Sequence, residues 1–475
     1  MSAAPPGAAL PARLLDELLG AAGEPPAEGS VAFAGADPVL PTVFPLGAVG
    51  AAAIAACAVA AARVWERRAS ERQQISVDVD AAAAALRSAR YLRADPPPAA
   101  GPRRFPGLAT HRTRDGRWIY FQRLFEHHRQ RLSDVLGGPP DDDALRRAVA
   151  EWDAFALERA VNEAGACAGV LRTRAEWELL DQARHVAASP LLDIRRIGEG
   201  PPMPLPSGPR PLSGVRVLDV TRVLAGPTGA RTLAEHGADV LRISHPTVLD
   251  NPAMSRDTGH GKRSARLDLA STEGARTLRG LLGSADVFVQ GYRPGALAGL
   301  GFGVPELTRL RPGIVAVSVS AFGSTGPWQA RRGFDSVVQS VNGLAAAHTE
   351  PGGRTGDDPP PAFLPANPLD YLTGYLAAFG ALVALRRRAT EGGSYLVSVS
   401  LARTGEWLWQ QPRCSRDAAE SAPRELPEAR LQELMLTEET PYGRLKYLAP
   451  AARLERTPAH WALPTPGEGE PVWDG

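Results

Sequence analysis

The chain has 475 residues, 44% hydrophobic and 22% charged, with a formal net charge of +1, a globular composition long enough for two or more cores. The near-zero charge argues against a nucleic-acid binder or a partner of strong opposite charge. Three scattered cysteines without a CxxC pair (Cys57, Cys167, Cys414) argue against a disulfide framework or a thiolate metal site and fit a reducing, cytoplasmic setting.

Residues 1–40 are rich in Pro, Gly and Ala and read as a loose arm with one short amphipathic piece, Ala12–Leu19. The start lacks the basic flank and apolar core of a signal peptide. Val43–Ala62 is uncharged and about a bilayer's length. Being mostly Ala and Gly, it reads as a buried core helix, with no membrane association expected. A strand-like QQISVDVD and a Pro-rich joint, ADPPPAAGPRRFPG, follow.

THRTRDGRWIYFQ reads as a hairpin with Asp115-Gly116 at its turn. Asp141–Asp143 precede a helical pattern, where a helix N-terminus favours anions, so they read as a cap rather than metal ligands. His127-His128 have no partner cluster and read as surface residues. A second Pro-rich joint closes a 41–210 region.

From residue 211 to 401 strands alternate with helices: VRVLDV, ADVLRIS, ARLDLA, ADVFVQG, IVAVSVSAFG and YLVSVSL, with a helical pattern between every neighbouring pair except ADVLRIS and ARLDLA. This predicts an α/β fold with a doubly wound, Rossmann-like parallel sheet, accompanied by a smaller α+β region at 41–210 and a linker and tail at 402–475. GLGFG at Gly299–Gly303 follows a helix and lacks dinucleotide-loop spacing, so it reads as a helix-end turn.

One repeat stands out. FPLGAVGAAAIAACAVAAARVWERRASERQQISVDVD and NPLDYLTGYLAAFGALVALRRRATEGGSYLVSVSL are both an apolar helix, an Arg-rich end and a strand. Asp370 of the second copy falls on Leu46 or Gly47 of the first. The commonest task of an acid in a first helical turn is capping. The same helix end would also hold a carboxylate ionised for nucleophilic attack, with Gly374 leaving room for a substrate backbone or thioester. RVLAGPTGA, GHGKRS and GYRPG border strand ends, where open α/β sheets bind ligands. Each alone reads as a structural turn; together they point to a phosphate-bearing ligand, with Lys262, Arg263 and Arg293 supplying charge.

PLSGVRVLDVTRVLAGPTGARTLAEHGADVLRI, GKRSARLDL, ADVFVQGYRPGALAGLGFG, VSVSAFGSTGPW and LDYLTGY occur in the order seen in the family III CoA-transferases (the CaiB/BaiF family), which Pro211–Leu401 closely resembles. The tail TPYGRLKYLAPAARLERTPAHW resembles that family's C-terminus. Residues 41–200 resemble its later part, so later-type material precedes a nucleotide-binding half.

The resemblance implies CoA transfer between an acyl-CoA thioester and a carboxylic acid, with Asp370 forming an anhydride and then a thioester. No metal and no permanently bound cofactor is implied; coenzyme A thioester is substrate. By position, Leu224, Ala225, His245, Gly259, His260, Gly261, Lys262, Gly291, Tyr292, Arg293, Ser320, Ala321, Phe322 and Gly323 would line the CoA site. Leu224 replaces a Gln of some members, and Gly291 an Asn. An interlocked homodimer is implied too. The alternatives are an α-methylacyl-CoA racemase, although Phe334-Asp335 stands where its His motif would fall and His348 lies elsewhere, and a non-catalytic acyl-CoA-binding protein.

Overall fold

The computed structural model describes residues 9–95, 110–138, 141–248, 250–349, 362–465 and 467–473. The Pro-rich joint at 96–109 lies outside them.

The regular alternation beyond residue 211 builds one seven-stranded sheet. Its spatial order is Lys262–Arg266, Asp239–Ser244, Arg216–Asp219, Val287–Gln290, Val315–Ser320, Ser394–Ser400 and Asp193–Gly198. The first six run parallel and the last is antiparallel. In chain order the parallel strands read 3-2-1-4-5-6, so the winding reverses between Arg216–Asp219 and Val287–Gln290. A crevice opens beyond the carboxyl ends of those two strands. The third strand begins at Lys262 rather than at ARLDLA, because the run pairing with Val240–Ser244 is Lys262–Arg266.

The helix Pro368–Glu391 runs through the middle of the molecule and is buried from Pro368 to Leu385. A helix apolar all round needs such encasement. It packs on the helix Ala225–Glu235, on the sheet and on the helix Leu46–Ala69. Gly374 is required at the first crossing: a Cβ there would meet the Ala225 carbonyl oxygen at 2.5 Å. Its small size thus serves helix packing rather than a substrate. The helices Leu46–Ala69 and Pro368–Glu391 are both long and apolar enough to cross a membrane, and both are mostly buried inside the fold.

Residues 9–40 of the expected loose arm are ordered into elements that pack on the fold. Ala9–Ala21 is a helix whose Leu14, Leu15, Leu18 and Leu19 are buried against the Leu46–Ala69 helix. Val31–Ala34 pairs with Ile75–Asp78. The apolar spacing that read as a short isolated piece has a partner helix to bury it.

The regions defined along the chain interleave in space. Asp193–Gly198 joins the large sheet, and the C-terminal Ala452–Leu454 pairs with Ile75–Asp78. Gly443–Leu448 pairs with Arg93–Asp95. Thr110–Arg112, Trp118–Phe121 and Ala168–Val170 form a small antiparallel sheet, with Asp115 and Gly116 at the expected turn. Asp141 caps the helix Asp142–Ala150 by accepting from Ala144 N, and Gly301 ends the turn at 298–300 in the left-handed region.

Candidate active site

Asp370 is the third residue of its helix and does not cap it. That task falls to Asp335, 35 residues earlier, at the start of the helix Asp335–Val341. Its Oδ2 accepts the Asp370 N–H at 3.0 Å, and the Leu369 N–H also points to it. Gln339 Nε2 donates to the other oxygen. The positive helix end is therefore spent on Asp335, and the Asp370 carboxylate is left to face a cavity of about 380 Å³. On the far side of the helix, Tyr371 fixes the rotation, its hydroxyl accepting from Ala89 N at 3.2 Å.

This arrangement corrects the expectation of an Asp370 held ionised by the helix end. Burial first, and the Asp335 carboxylate second, push Asp370 well above the usual carboxylate range. Burial raises Asp335 too, to about 6, while the three hydrogen bonds it accepts restrain the rise. Within the pair, the donors favour the charged form on Asp335, whereas burial and the neighbouring carboxylate disfavour ionisation of Asp370.

The cavity occupies the crevice where the winding reverses. Its floor is the turn at Thr221–Gly226 and the turn at Gly291–Ala296, its back Val319–Ala321 and Asp370, and its roof Phe125, His127 and His128. Val223 holds φ 71, a left-handed conformation rare for a β-branched residue, at the point where the turn lines the cavity. Gly226 permits the tight approach of Thr221, whose side chain a Cβ would meet at 2.4 Å.

Phe125 and Val223 also border a separate small pocket of about 10 Å³, lined by Pro227, Met254 and Thr258. Arg242, Asp250 and Ser255 are shared by that pocket and a further space of about 270 Å³, flanked by Arg242, His245, Arg256 and Arg266. Asp250 borders both, pairing with Arg222 at 2.8 Å and also with Arg242.

The sequence-derived contacts divide. Ala225, Gly291, Tyr292, Arg293, Ser320 and Ala321 line the Asp370 cavity. His245 and Gly259 line the arginine-flanked space. Gly323 borders a separate cavity that shares Arg293 and Ser320. Leu224 and Phe322 are core residues, each 1% exposed. His260 is fully buried, stacked on Tyr447 at 3.8 Å and near Trp461 at 5.3 Å, so the C-terminal tail covers it. Gly261 is packed against Trp461 as well. Lys262 abuts the arginine-flanked space, but its side chain is 0% exposed and its Nζ is committed to Asp219 and the Pro227 carbonyl, both at 2.8 Å. Burial lowers it to about 8, and it buttresses the strand ends instead of reaching a phosphate.

Two groups were missed. Asp335 read only as the replacement for a racemase histidine, and a hydrogen bond across 35 residues has no local signature. His127 and His128 read as surface residues, yet both line the cavity, and His128 is buried against Phe125 and Phe334. His348 is in the helix Leu344–Thr349 and not in the cavity wall. Among the described residues no group of three or more His, Cys, Asp or Glu is arranged to hold a metal ion.

The family model for CoA-transferase family III matches residues 26–202 and 212–438. The acetyl-coenzyme A transferase nodX of Hypoxylon pulicicidum is 33% identical over 282 residues, 56% of this chain and 46% of the relative. The succinyl-CoA–L-malate CoA-transferase beta subunit of Chloroflexus aurantiacus is 35% identical over 203 residues, 40% and 49% of the two chains. The chain thus spans about half the length of these curated relatives. A crystal structure of a CAIB/BAIF family protein from Brucella suis aligns over 50% of this chain and 65% of that one, with 24% identity and a TM-score of 0.37. With the family model matched over most of its length, the chain belongs to CoA-transferase family III.

Proposed function

We propose that the protein transfers coenzyme A between an acyl-CoA thioester and a carboxylic acid, with Asp370 as the covalent nucleophile. The observation that carries this reading is the placement of Asp370: released from capping by Asp335, it forms part of the wall of a cavity of about 380 Å³ at the crevice where the winding of the sheet reverses. The arginine-flanked space of about 270 Å³ nearby suits the nucleotide phosphates of CoA.

The reaction needs only exchange of acyl partners. Once deprotonated, an Asp370 oxygen attacks the thioester carbonyl carbon and CoA leaves as thiolate, giving a mixed anhydride. The thiolate attacks the aspartyl carbonyl, and the donor acid departs as carboxylate, leaving an aspartyl-CoA thioester. The acceptor carboxylate attacks that carbonyl, forming a second anhydride and freeing the thiolate. Attack of the thiolate on the acceptor's carbonyl then yields the new acyl-CoA and restores Asp370.

Phe125, His127 and His128 complete the cavity from the same chain, which supports a site built without a second protomer. The homodimer that the resemblance implies remains a proposal that light scattering tests. A cytoplasmic location is likewise proposed, from the three free cysteines.

The test is trapping. Incubation with acetyl-CoA followed by borohydride or hydroxylamine is expected to modify Asp370, read by mass spectrometry of its peptide, and to do so only in a protein that exchanges CoA. Unmodified Asp370 together with full turnover in Asp370→Ala would sink the mechanism. Exchange of the acyl α-proton with solvent, without CoA transfer, would replace it by a racemase in which His128 is the second base.

A further inference from the structure

The GHGK turn, expected to face a phosphate, is spent on the chain's own C-terminal tail. The Gly261 N–H donates to the Leu463 carbonyl at 2.9 Å, and His260 stacks on Tyr447 and Trp461. A Cβ on Gly259 would meet Thr465 Cγ2 at 3.0 Å, so close does the tail lie, and Thr465 Oγ1 donates to the Arg256 carbonyl at 2.6 Å. Further on, Gly469 N donates to the Ser264 carbonyl at 2.7 Å, along the outer edge of the strand Lys262–Arg266. Arg263 then donates to the Val472 carbonyl at 2.6 Å. The tail is fastened on both sides of Glu468, and Tyr442, Thr465 and Glu468 form one wall of the arginine-flanked space.

The charges of that space are unevenly answered. Arg242 shares Asp250 with Arg222, and Lys262 is committed to Asp219. The Arg256 guanidinium has no hydrogen-bond or ion-pair partner among the described residues and lies over the Tyr442 ring, 4.5 Å from its centroid. Arg266 donates to the Pro246 carbonyl at 2.8 Å and, through its other terminal nitrogen, to Glu468. The carboxylate that answers Arg266 is therefore supplied by the tail. Both side chains are partly exposed, 35% for Arg266 and 57% for Glu468, and such a pair holds weakly. A phosphate group, with more charge and three acceptor oxygens, can displace it.

We propose that Glu468 is a built-in competitor for the phosphate groups of the ligand in this space: the tail sets a carboxylate on Arg266, a bound nucleotide must displace it, and release of the nucleotide is eased in return. That the ligand is a nucleotide rests on the CoA-transfer reading above, but the competition does not depend on turnover.

The experiment is calorimetric titration of the full chain with adenosine 3′,5′-bisphosphate, which carries the ribose phosphates of CoA. Glu468→Gln, which keeps the volume and removes the charge, is expected to tighten binding by about 10-fold, and Arg256→Met to weaken it by about the same factor. The decisive variant is double: in an Arg266→Gln background the gain from Glu468→Gln should vanish, because competition needs both partners. Equal tightening in both backgrounds would reduce the effect to net charge and overturn the proposal. So would a Glu468→Gln affinity within about twofold of wild type, the scale of an exposed pair that contributes nothing. Should the bisphosphate bind neither protein while acetyl-CoA still exchanges, the nucleotide lies elsewhere and the proposal falls with CoA transfer intact. Should the expected pattern appear while no acid receives CoA, the transfer reading falls and the competitor stands. Thermal unfolding of each variant confirms that the fold is intact.

Discussion

The helices Leu46–Ala69 and Pro368–Glu391 are each 24 residues long, are largely buried, and pack against one another, Cys57 Sγ donating to the Tyr375 carbonyl at 3.1 Å. Both are capped from a distance by an aspartate. Asp37 accepts from Gly47 N at 2.9 Å and from Ala48 N at 2.6 Å; Asp335 accepts from Asp370 N at 3.0 Å. The shared Pro-Leu entry, Pro45-Leu46 and Pro368-Leu369, aligns Gly47 rather than Leu46 with Asp370, while the caps hold the N–H groups of Gly47 and Ala48 in one copy and of Leu369 and Asp370 in the other. The difference lies in what stands before that residue. A Cβ on Gly47 would meet Val79 Cγ1 at 2.5 Å and Asp37 Oδ1 at 2.9 Å, so the space is filled, whereas Asp370 opens on a cavity of about 380 Å³. Helix and cap are scaffold in both copies. An acid facing an open cavity makes a site of one.

The largest effect should come from removing that acid. Asp370→Asn is expected to lower CoA transfer by roughly 10⁴-fold or more, as loss of a covalent nucleophile does, measured by chromatography of the CoA thioesters. The same variant should be more stable than wild type at neutral pH. Asp370 and Asp335 are both held above the ordinary carboxylate range, so the folded chain keeps protons that the unfolded chain releases near pH 4. The stability linked to them is complete below about pH 4 and is lost as pH rises through the folded values, about 6 for Asp335. Asn cannot ionise. Melting temperatures of the two proteins should therefore coincide at pH 3 and separate, variant above wild type, at pH 8; the opposite order would show that Asp370 is ionised and well solvated.

Next is the attempt to make the copies alike. Gly47→Asp places a carboxylate against Val79 and beside the Asp37 carboxylate, with no cavity to receive it. A cost of about 4 kcal/mol or more is expected from overpacking and an unpaired buried charge, read by chemical denaturation. In an Asp370→Asn background it should yield no trapped adduct at position 47. An adduct there would mean that the first copy is a dormant site, and the contrast drawn above would fail.

The resemblance of the two copies was legible before any coordinates, because an apolar helix followed by an Arg-rich end and a VSV or VDV strand is a local pattern. So was the parallel sheet, since strand and helix periods differ and alternate cleanly from residue 211 onward. Asp370 was legible as the residue that breaks the repeat. Its protonation was not, because the competing claim on the helix end belongs to Asp335, which no spacing rule connects to it. Lys262 misled for a related reason: rarity marked it, but whether a lysine reaches a ligand or an internal carboxylate depends on Asp219 lying opposite, which only the sheet register brings about. His127 and His128 are polar residues in a helix that looks solvated by itself, and the wall they complete comes from strand ends about 100 and 200 residues away in the chain.

Smaller effects separate the two caps. Asp335→Asn keeps the volume and one acceptor oxygen but removes the charge beside Asp370. The nucleophile's proton is then released more easily, so the acid limb of the kcat/KM profile should move to lower pH. A loss of about 10- to 100-fold in kcat at the optimum is expected from looser placement of the carboxylate. A limb that stays in place, or moves to higher pH, would show that Asp335 does not govern Asp370.

Asp37→Asn is the matching change in the first copy and should be the mildest. Burial raises Asp37, the backbone N–H groups of Ala48, Gly47 and Val39 offset part of that rise, and an Asn can still accept from the helix end. The expected cost is about 1 kcal/mol of stability, the usual worth of a helix N-cap, read as a shift of the denaturation midpoint with the slope unchanged. The pH profile of CoA transfer should not move at all, since no cavity lies in front of Gly47 for a charge at Asp37 to act on. A shift of that profile in Asp37→Asn would mean that the packed helices transmit what the caps do, and that the first copy tunes the second instead of only supporting it.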